Sequence, residues 1–257
     1  MKIAFTFIVK NGGRYLERNL EQIKKFNQDI YVVENNSTDN TKTILQNANI
    51  KNVLSLNLKD GRFSTSLCKR RKNCLKRIRR LAYLRQKVLD SVLNSGIDYD
   101  YMCMLDMDFL KFDSDHLINM FEYMEQNKDV DGMFGMSFAT HYLTMPYDIG
   151  AVKPMYKIPQ IGLKLSRYVR VKSAFSGFGI YRYSSIIKNS ASYDIKYIDD
   201  IEHIYFNSHF NKLIVDTYFN PMYKLSKKSI QEIESDVLIS LFVLIFVIIV
   251  IYMLYRR

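Results

Sequence analysis

The first half of the chain alternates short apolar runs with longer segments of helical spacing. The apolar runs predict four strands, at Ile3–Val9, Ile30–Glu34, Val53–Leu58 and Tyr101–Leu105. Apolar residues three or four positions apart predict four helices, at Gly12–Phe26, Asp39–Ala48, Leu67–Leu93 and Asp115–Gln126. This order predicts an α/β fold with a mostly parallel central sheet and right-handed crossovers. Past residue 130 we expect short strands, loops and a helix around Ile198–Phe210.

An apolar stretch lies near the end of the printed sequence. From Val237 to Leu254 only Ser240 and Tyr252 carry polar atoms, and 18 helical residues span about 27 Å, close to the roughly 30 Å of a bilayer core. We therefore expect a folded domain over 1–230, a juxtamembrane linker over 231–236 and a transmembrane helix over 237–255. Because the first residues do not have the pattern of a signal peptide, we expect the domain to face the cytosol.

Composition and charge narrow the class of protein. With 48% hydrophobic, 14% aromatic and 25% charged residues, the chain is neither disordered nor collagen-like. Three Cys and four His without a CxxC pair exclude a disulfide framework and a zinc finger. The net charge of +11 is concentrated in residues 69–80, which hold eight basic residues and no acid. This run is expected to meet phosphates or an anionic membrane surface, unless it is only a solvated face.

The fourth predicted strand ends in Asp106-Met107-Asp108. Ligands of open parallel sheets bind at the carboxyl ends of the strands. Residues i and i+2 leave a strand on the same side, so the two carboxylates suit a hard ion such as Mg²⁺ or Mn²⁺, with other positions left for diphosphate oxygens. The alternative is a simple turn or helix cap.

The second predicted strand ends in the polar segment Glu34–Asp39, which also opens a helix. Backbone N–H groups and short side-chain acceptors in such a place can hold a nucleoside. Glu34 or Asp39 would accept from a base N–H or a ribose hydroxyl. The alternative is a plain turn in which Ser37 or Thr38 caps the helix.

Arg85 occupies a position on the apolar stripe of the long helix Leu67–Leu93. Arginine keeps its charge, so a buried arginine needs an anionic partner. A donor diphosphate or the carboxylates of Asp106 and Asp108 would provide one. The alternative is that the side chain reaches the edge of the helix and stays solvated.

Two further segments carry candidate chemistry. Residues 173–179 are rich in glycine and aromatic residues, which suits either an acceptor pocket or a tight turn. Asp199 and Asp200 precede His203 by four and three positions on a predicted helix. One carboxylate of this segment would act as a general base or nucleophile and His203 as a metal ligand, unless the segment is only a charged helix face.

Taken together, these segments resemble a GT-A glycosyltransferase of the family-2 type. VVENNSTDNT is similar to the nucleotide-binding segment and LDMD to the metal-binding DxD motif. RRLAYLRQKVL resembles the helix before that motif, above all in the fungal capsular α-1,3-mannosyltransferase family. KSAFSGFGIYR resembles the acceptor-side segment, with Ser176 where the family has a glycine. IEHIYFN resembles the Glu-His element of related bacterial and viral enzymes, so the resemblance covers about residues 2–222.

The resemblance implies a GT-A-like fold and a membrane-bound enzyme that uses a UDP- or GDP-linked sugar donor and a carbohydrate, glycoprotein or glycolipid acceptor. It implies no nucleic acid partner. The donor would be contacted by Asn11, Glu34, Asp39, Arg85, Asp106 and Met107. Mn²⁺ or Mg²⁺ would be held by Asp106 and Asp108, with His203 as a further ligand. Asp200 or Glu202 would be the catalytic carboxylate.

Two other functions are compatible with parts of the sequence. A nucleotidyltransferase of similar fold would carry a glycine-rich phosphate loop, for which Gly12-Gly13-Arg14 is the candidate. A non-enzymatic module would bind a membrane or nucleic acid through residues 69–80. The second reading accounts for the basic run but leaves the polar strand ends without a role.

Overall fold

The computed structural model describes residues 1–58, 71–111, 114–139, 142–146, 153–154, 167–194, 196, 201–218 and 222–223. The helices are α1 (Leu16–Lys24), α2 (Thr41–Asn47), α3 (Arg71–Leu93), α4 (Asp115–Gln126), α5 (Tyr183–Lys188) and α6 (Glu202–Asn207). The strands are β1 (Ile3–Val9), β2 (Asp29–Asn35), β3 (Asn52–Leu56), β4 (Tyr101–Leu105), β5 (Phe109–Lys111), β6 (Gly132–Gly135), β7 (Phe138–Ala139), β8 (Tyr142–Pro146), β9 (Lys153–Pro154), β10 (Tyr168–Ser173), β11 (Phe178–Arg182), β12 (Leu213–Asp216) and β13 (Met222–Tyr223).

The described strands form a nine-stranded sheet in the order β3-β2-β1-β4-β11-β6-β12-β10-β9 and a four-stranded sheet in the order β5-β13-β7-β8. In the large sheet β1, β2, β3 and β4 are parallel neighbours, and β6 and β12 are parallel to each other. Strand β11 runs antiparallel between β4 and β6, and β10 runs antiparallel to β12. Most strands therefore point the same way, which confirms the prediction of an α/β fold with a mostly parallel sheet.

Helices cover both faces of the large sheet. Alternate residues of β1 divide between the two sides, with Phe5 and Phe7 in one apolar cluster and Ala4 in the other. The first cluster includes buried residues of α1, α2 and α4, and the second includes buried residues of α3, α5 and α6. Burial on both faces explains why the central strands read as continuous apolar runs such as YMCML.

Two helices begin later than their sequences predict. Helix α1 begins at Leu16 because residues from Gly12 form a turn, in which the N–H groups of Tyr15 and Leu16 both donate to the Gly12 carbonyl at 3.0 Å. Helix α2 begins after Asn40 without a side-chain cap, so the expected cap by Ser37 or Thr38 is wrong. Those two residues bond to Asn11 of a neighbouring loop instead.

The predicted transmembrane helix at 237–255 and the linker at 231–236 lie outside the described residues. None of the helices within the described ranges is both long and apolar enough to cross a bilayer.

Helix α6 is fixed to the sheet by the buried side chain of Asn207. Its Nδ2 donates to the Oγ of Ser173 at 3.0 Å and to the carbonyl of Ala174 at 2.7 Å, and its Oδ1 accepts from the hydroxyl of Tyr181 at 2.9 Å. One side chain thus joins the helix to β11 and to the end of β10. The predicted helix around Ile198–Phe210 is shorter in the structure, where it begins at Glu202 after the extended residue Ile201.

Replacing Asn207 with leucine, Asn207→Leu, tests this anchor. The variant keeps the approximate shape but leaves buried polar groups of Ser173, Ala174 and Tyr181 without a partner. We expect the free energy of unfolding to fall by about 2–3 kcal/mol. Chemical denaturation of the full-length protein in mild detergent measures the change, with the exposed Asn47→Ala in α2 as a control. Equal stability of the two variants would contradict the role of Asn207.

Candidate active site

The carboxyl ends of β1, β2 and β4 meet at one edge of the large sheet. Val9 lies beside Glu34, and Leu105 pairs with Phe7, so the loops that follow these three strands are neighbours. The amino end of β11 reaches the same edge, since β11 is antiparallel and its Phe178 pairs with Leu105. The polar strand ends singled out in the sequence are therefore brought together with the turn that precedes β11.

Hydrogen bonds join the loop after β1 to the loop after β2. The Oδ1 of Asn11 accepts from the N–H of Thr38 at 2.8 Å, while the N–H of Asn11 donates to the Oγ of Ser37 at 3.0 Å. The N–H of Gly12 donates to the Oγ1 of Thr41 at 2.8 Å. Asn11 adopts a φ of 53°, a left-handed conformation that asparagine tolerates better than most residues. These two loops form a single hydrogen-bonded unit.

Asp39 belongs to the same unit. One carboxylate oxygen accepts from the N–H of Gly13 at 2.9 Å and the other from the N–H of Thr41 at 3.0 Å. A small loss of hydration opposes ionisation, but hydrogen bonds from Thr41 and Gly13 hold the pKa of Asp39 below its usual range. A β-carbon at Gly13 would lie 1.8 Å from the Oδ1 of Asn40 and 2.8 Å from the Oδ2 of Asp39, so a larger residue here would displace these side chains.

Glu34 is fully buried beneath these loops. Its Oε1 accepts from the N–H of Ser37 at 2.6 Å, and its Oε2 has no hydrogen-bond partner but lies 3.7 Å from the Nζ of Lys42. In this arrangement the carboxylate shapes the turn rather than facing solvent. Its predicted contact with a nucleoside stays a prediction.

The three residues that follow β4 have different environments; they are Asp106, Met107 and Asp108. The N–H of Asp106 donates to the carbonyl of Gly177 at 2.8 Å, which ties the segment to the turn before β11. The side chain of Met107 is buried in the core, whereas that of Asp108 is exposed at the surface. Although the Asp108 side chain is exposed as a whole, protein atoms close to its carboxyl displace water, and together with the negative charge of Asp106 this raises its pKa to about 6.

The side chain of Arg85 joins α3 to this strand end. Its Nη2 donates to the Oδ1 of Asp106 at 3.0 Å, and its Nε donates to the Oε1 of Glu202 at 3.3 Å. Its guanidinium also lies 4.7 Å from the ring centre of Phe175. Burial alone would lower the pKa of Arg85, but the two carboxylates hold it above its ordinary value. The anionic partner that the sequence required is provided by Asp106, with Glu202 as a second.

His203 lies next to Glu202 on α6 and is completely surrounded. Its ring stacks on Phe175 with centroids 3.5 Å apart, and its Nδ1 is 3.2 Å from the hydroxyl of Tyr193. That hydroxyl also lies 2.8 Å from the sulfur of Met104. Burial, with a further contribution from Arg85, places the pKa of His203 well below its usual range. The ring is therefore neutral, and its Nε2 is buried without a hydrogen-bond partner, 4.0 Å from the Oε1 of Glu202.

The described residues do not include a group of three or more His, Cys, Asp or Glu arranged to hold a metal ion. His203 therefore does not complete one protein cluster with Asp106 and Asp108, and its role as a metal ligand stays a prediction. Asp199 and Asp200 lie outside the described residues. The other candidate carboxylate, Glu202, is buried and ion-paired with Arg85.

Several residues of the site carry no motif that sequence reasoning would recognise. Phe175 lies in the segment expected to form an acceptor pocket or a turn, and the structure shows a turn in which Ser176 and Gly177 have φ values of 47° and 77°. Phe175 itself is buried and contacts both Arg85 and His203. Tyr193 and Asn207 act through hydrogen bonds to residues at least ten positions away in sequence, so no local pattern marks them.

No family model matches the sequence, and no curated protein matches it. The chain is similar to the crystal structure of a mycobacterial protein, with a TM-score of 0.48 and 9% identity over 88% of this chain and 68% of that chain. It is also similar to glucosyl-3-phosphoglycerate synthase from Mycobacterium tuberculosis, with a TM-score of 0.48 and 12% identity over 88% of this chain and 72% of that chain.

A structure of the same synthase in complex with Mn²⁺, UDP-glucose and phosphoglyceric acid matches 54% of this chain and 44% of that chain, with a TM-score of 0.35 and 11% identity. Structural similarity at this level does not identify a reaction or a substrate. The functional conclusion therefore depends on the contacts at the strand ends.

The Arg85 ion pairs lead to a stability prediction. Arg85→Met keeps the length of the side chain but leaves the buried carboxylate of Glu202 without its counterion. We expect the free energy of unfolding to fall by about 3–5 kcal/mol, as measured by chemical denaturation in detergent. Arg170→Met, which removes an exposed arginine from β10, is the matched control and should change stability by about 0.5 kcal/mol or less. A stable Arg85→Met protein would show that Glu202 is not held by this pair.

Proposed function

We propose that this protein is a metal-dependent glycosyltransferase of GT-A type. It transfers a sugar from a UDP- or GDP-linked donor to a hydroxyl of a carbohydrate, glycoprotein or glycolipid acceptor. The observation that carries the proposal is the strand end at Asp106, where a carboxylate pair adjoins a buried arginine that bonds to Asp106. This combination supports the binding of a divalent ion and a diphosphate side by side.

The two carboxylates fit a divalent cation. Their like charges and local loss of hydration raise the pKa of Asp108 to about 6, so a nearby cation would stabilise the ionised pair. Oxygen ligands are those that Mg²⁺ and Mn²⁺ prefer. Since the described residues do not add a third acidic or histidine ligand in the same cluster, the ion's remaining positions suit water and diphosphate oxygens. The bound ion would act as a Lewis acid on the leaving diphosphate.

The protein's own groups supply the other charges of the reaction. Arg85 keeps its positive charge when buried, and two carboxylates fix its position beside Asp106. A fixed cation in a site of low polarity stabilises the negative charge that develops on a leaving diphosphate. The acceptor oxygen bonds to the anomeric carbon, the bond from that carbon to the diphosphate breaks, and a carboxylate takes the acceptor proton. Asp200 or Glu202 is proposed for that last role.

The nucleoside end of the site, the finer family relationship and the membrane anchor are proposed from the sequence. Asn11, Glu34 and Asp39 are proposed to form the nucleoside end of the site, since their loops meet beside β4. The resemblance of the α3 segment supports a finer kinship with the fungal capsular α-1,3-mannosyltransferase family. Residues 237–255 are proposed to anchor the enzyme in a membrane with its catalytic domain in the cytosol.

A nucleotidyltransferase would need a phosphate-binding loop at Gly12-Gly13-Arg14. The hydrogen bonds of this segment do not favour such a loop. The N–H groups of Gly12 and Gly13 donate to Thr41 and Asp39, so they are already paired within the protein. The side chains of Asn40 and Asp39 also lie directly against Gly13. We therefore favour sugar transfer over nucleotidyl transfer.

The catalytic proposal predicts loss of donor turnover when both carboxylates are replaced. The full-length protein in mild detergent is offered a panel of UDP- and GDP-sugars with Mn²⁺ and a mixture of simple glycoside acceptors, and the released nucleotide is measured. Asp106→Asn/Asp108→Asn should lower release by about 100-fold or more, because the charge that holds the ion is gone. Asp90→Asn/Asp129→Asn, which changes two acids elsewhere, is the control. Equal release by both double variants would overturn the metal site.

The raised pKa of Asp108 predicts a pH-dependent metal affinity. Below about pH 6 the carboxyl is protonated and a proton must leave before the ion binds, so Mn²⁺ affinity should rise about tenfold per pH unit up to that point and then level off. Titration of free Mn²⁺ by electron paramagnetic resonance between pH 5 and 8 measures it. Asp108→Asn should flatten the profile, and a wild-type profile that is already flat would contradict the prediction.

A further inference from the structure

The buried side chain of Asn19 connects α1 to the carboxylate segment after β4. Its Nδ2 donates to the carbonyl of Met107 at 3.1 Å and to the carbonyl of Phe109 at 3.0 Å. These two residues flank Asp108 on either side. The two hydrogens of one amide group thus restrain the backbone before and after the exposed carboxylate.

The orientation of this amide follows from its surroundings. A flipped side chain would place Oδ1 against two carbonyl oxygens, which is repulsive, so the nitrogen must face the strand end. The oxygen is then buried and has no hydrogen-bond partner. A buried acceptor without a donor is destabilising, and a leucine would fill a similar volume without one. Packing alone would therefore favour leucine at this position. The two hydrogen bonds to the strand end explain why asparagine is present instead.

A second residue of α1 reinforces the same place. The Nη2 of Arg18 donates to the carbonyl of Phe109 at 2.8 Å. Helix α1 follows the turn at Gly12 and Gly13, whose N–H groups donate to Thr41, the first residue of α2, and to Asp39 of the loop after β2. A single helix therefore links the loop unit at the proposed nucleoside end to the backbone of the proposed metal segment.

We propose that Asn19, assisted by Arg18, is a positioning residue that sets the direction of the Asp108 carboxylate for a divalent cation. This inference rests on the proposed function, because it assumes that Asp106 and Asp108 hold the ion. Groups that orient metal ligands typically contribute 10- to 100-fold to metal affinity. The amide does not touch the ion but restrains the peptide unit that precedes Asp108 and the one that follows Phe109.

The test compares Mn²⁺ binding by full-length wild type, Asn19→Leu, Arg18→Met and Asn127→Leu in detergent. Electron paramagnetic resonance of free Mn²⁺ gives the dissociation constant, alone and with UDP or GDP, and metal-free thermal unfolding reports the fold. Asn19→Leu should weaken Mn²⁺ binding about tenfold or more, and Arg18→Met less, in the same direction. Asn127, at the far end of α4, also donates to a carbonyl, that of Tyr123 at 2.8 Å, so Asn127→Leu should bind Mn²⁺ as wild type does.

A positioning role has a signature that loss of packing does not share. Excess Mn²⁺ should restore donor turnover by Asn19→Leu, and its affinity for metal-free nucleotide should be unchanged. If Asn19→Leu does not fold, Arg18→Met decides, because Arg18 is exposed. If the folded variants bind Mn²⁺ as tightly as the wild-type protein does, the inference about Asn19 is wrong but the proposed function stands. Failure of the wild-type protein to bind Mn²⁺ would overturn the proposed function and the inference with it.

Discussion

The site depends on one buried positive charge. The guanidinium of Arg85 is removed from water, and a charge in that position is tolerated only where anions meet it with good geometry. Asp106 and Glu202 provide those anions, one from the end of a strand and one from the start of α6. Because the three groups come from elements distant in sequence, the ion pairs fix how α3, β4 and α6 meet. The guanidinium lies directly beside the carboxylate segment at the sheet edge.

Aromatic packing holds this charge in place. Phe175 contacts the guanidinium of Arg85 and stacks on His203, and Tyr193 bonds to the other side of the same imidazole. Such a shell excludes water and therefore strengthens the electrostatic interactions within it. It also keeps His203 neutral, with its Nε2 buried 4.0 Å from the Oε1 of Glu202. The buried part of the site is thus the side formed by α3 and α6, whereas Asp108 is exposed.

The sequence predicts the parts of this arrangement that follow local periodicity. Strand β4 and helix α4 have the predicted bounds, and an arginine on an apolar stripe correctly indicates a buried ion pair. The contacts between loops do not follow local periodicity. Asn11 and Asp39 are polar residues at strand ends whose side chains turn out to bond to protein groups more than twenty positions away or within their own turn. The partner of an asparagine such as Asn19 depends on which strand the sheet order places beside α1, and periodicity does not encode that order.

Strand β11 determines when β4 gains its second neighbouring strand during synthesis. It hydrogen-bonds to β4 on one side and to β6 on the other, so β4 has an open edge until residue 182 has left the ribosome. An apolar strand with an unpaired edge is prone to join the wrong neighbour. The N-terminal half is thus not an independent module: a chain cut before β11 would carry the Asp106 segment on an exposed sheet margin. Each newly synthesised chain passes through this intermediate. We therefore expect chaperones to bind the chain mostly before β11 has paired with β4.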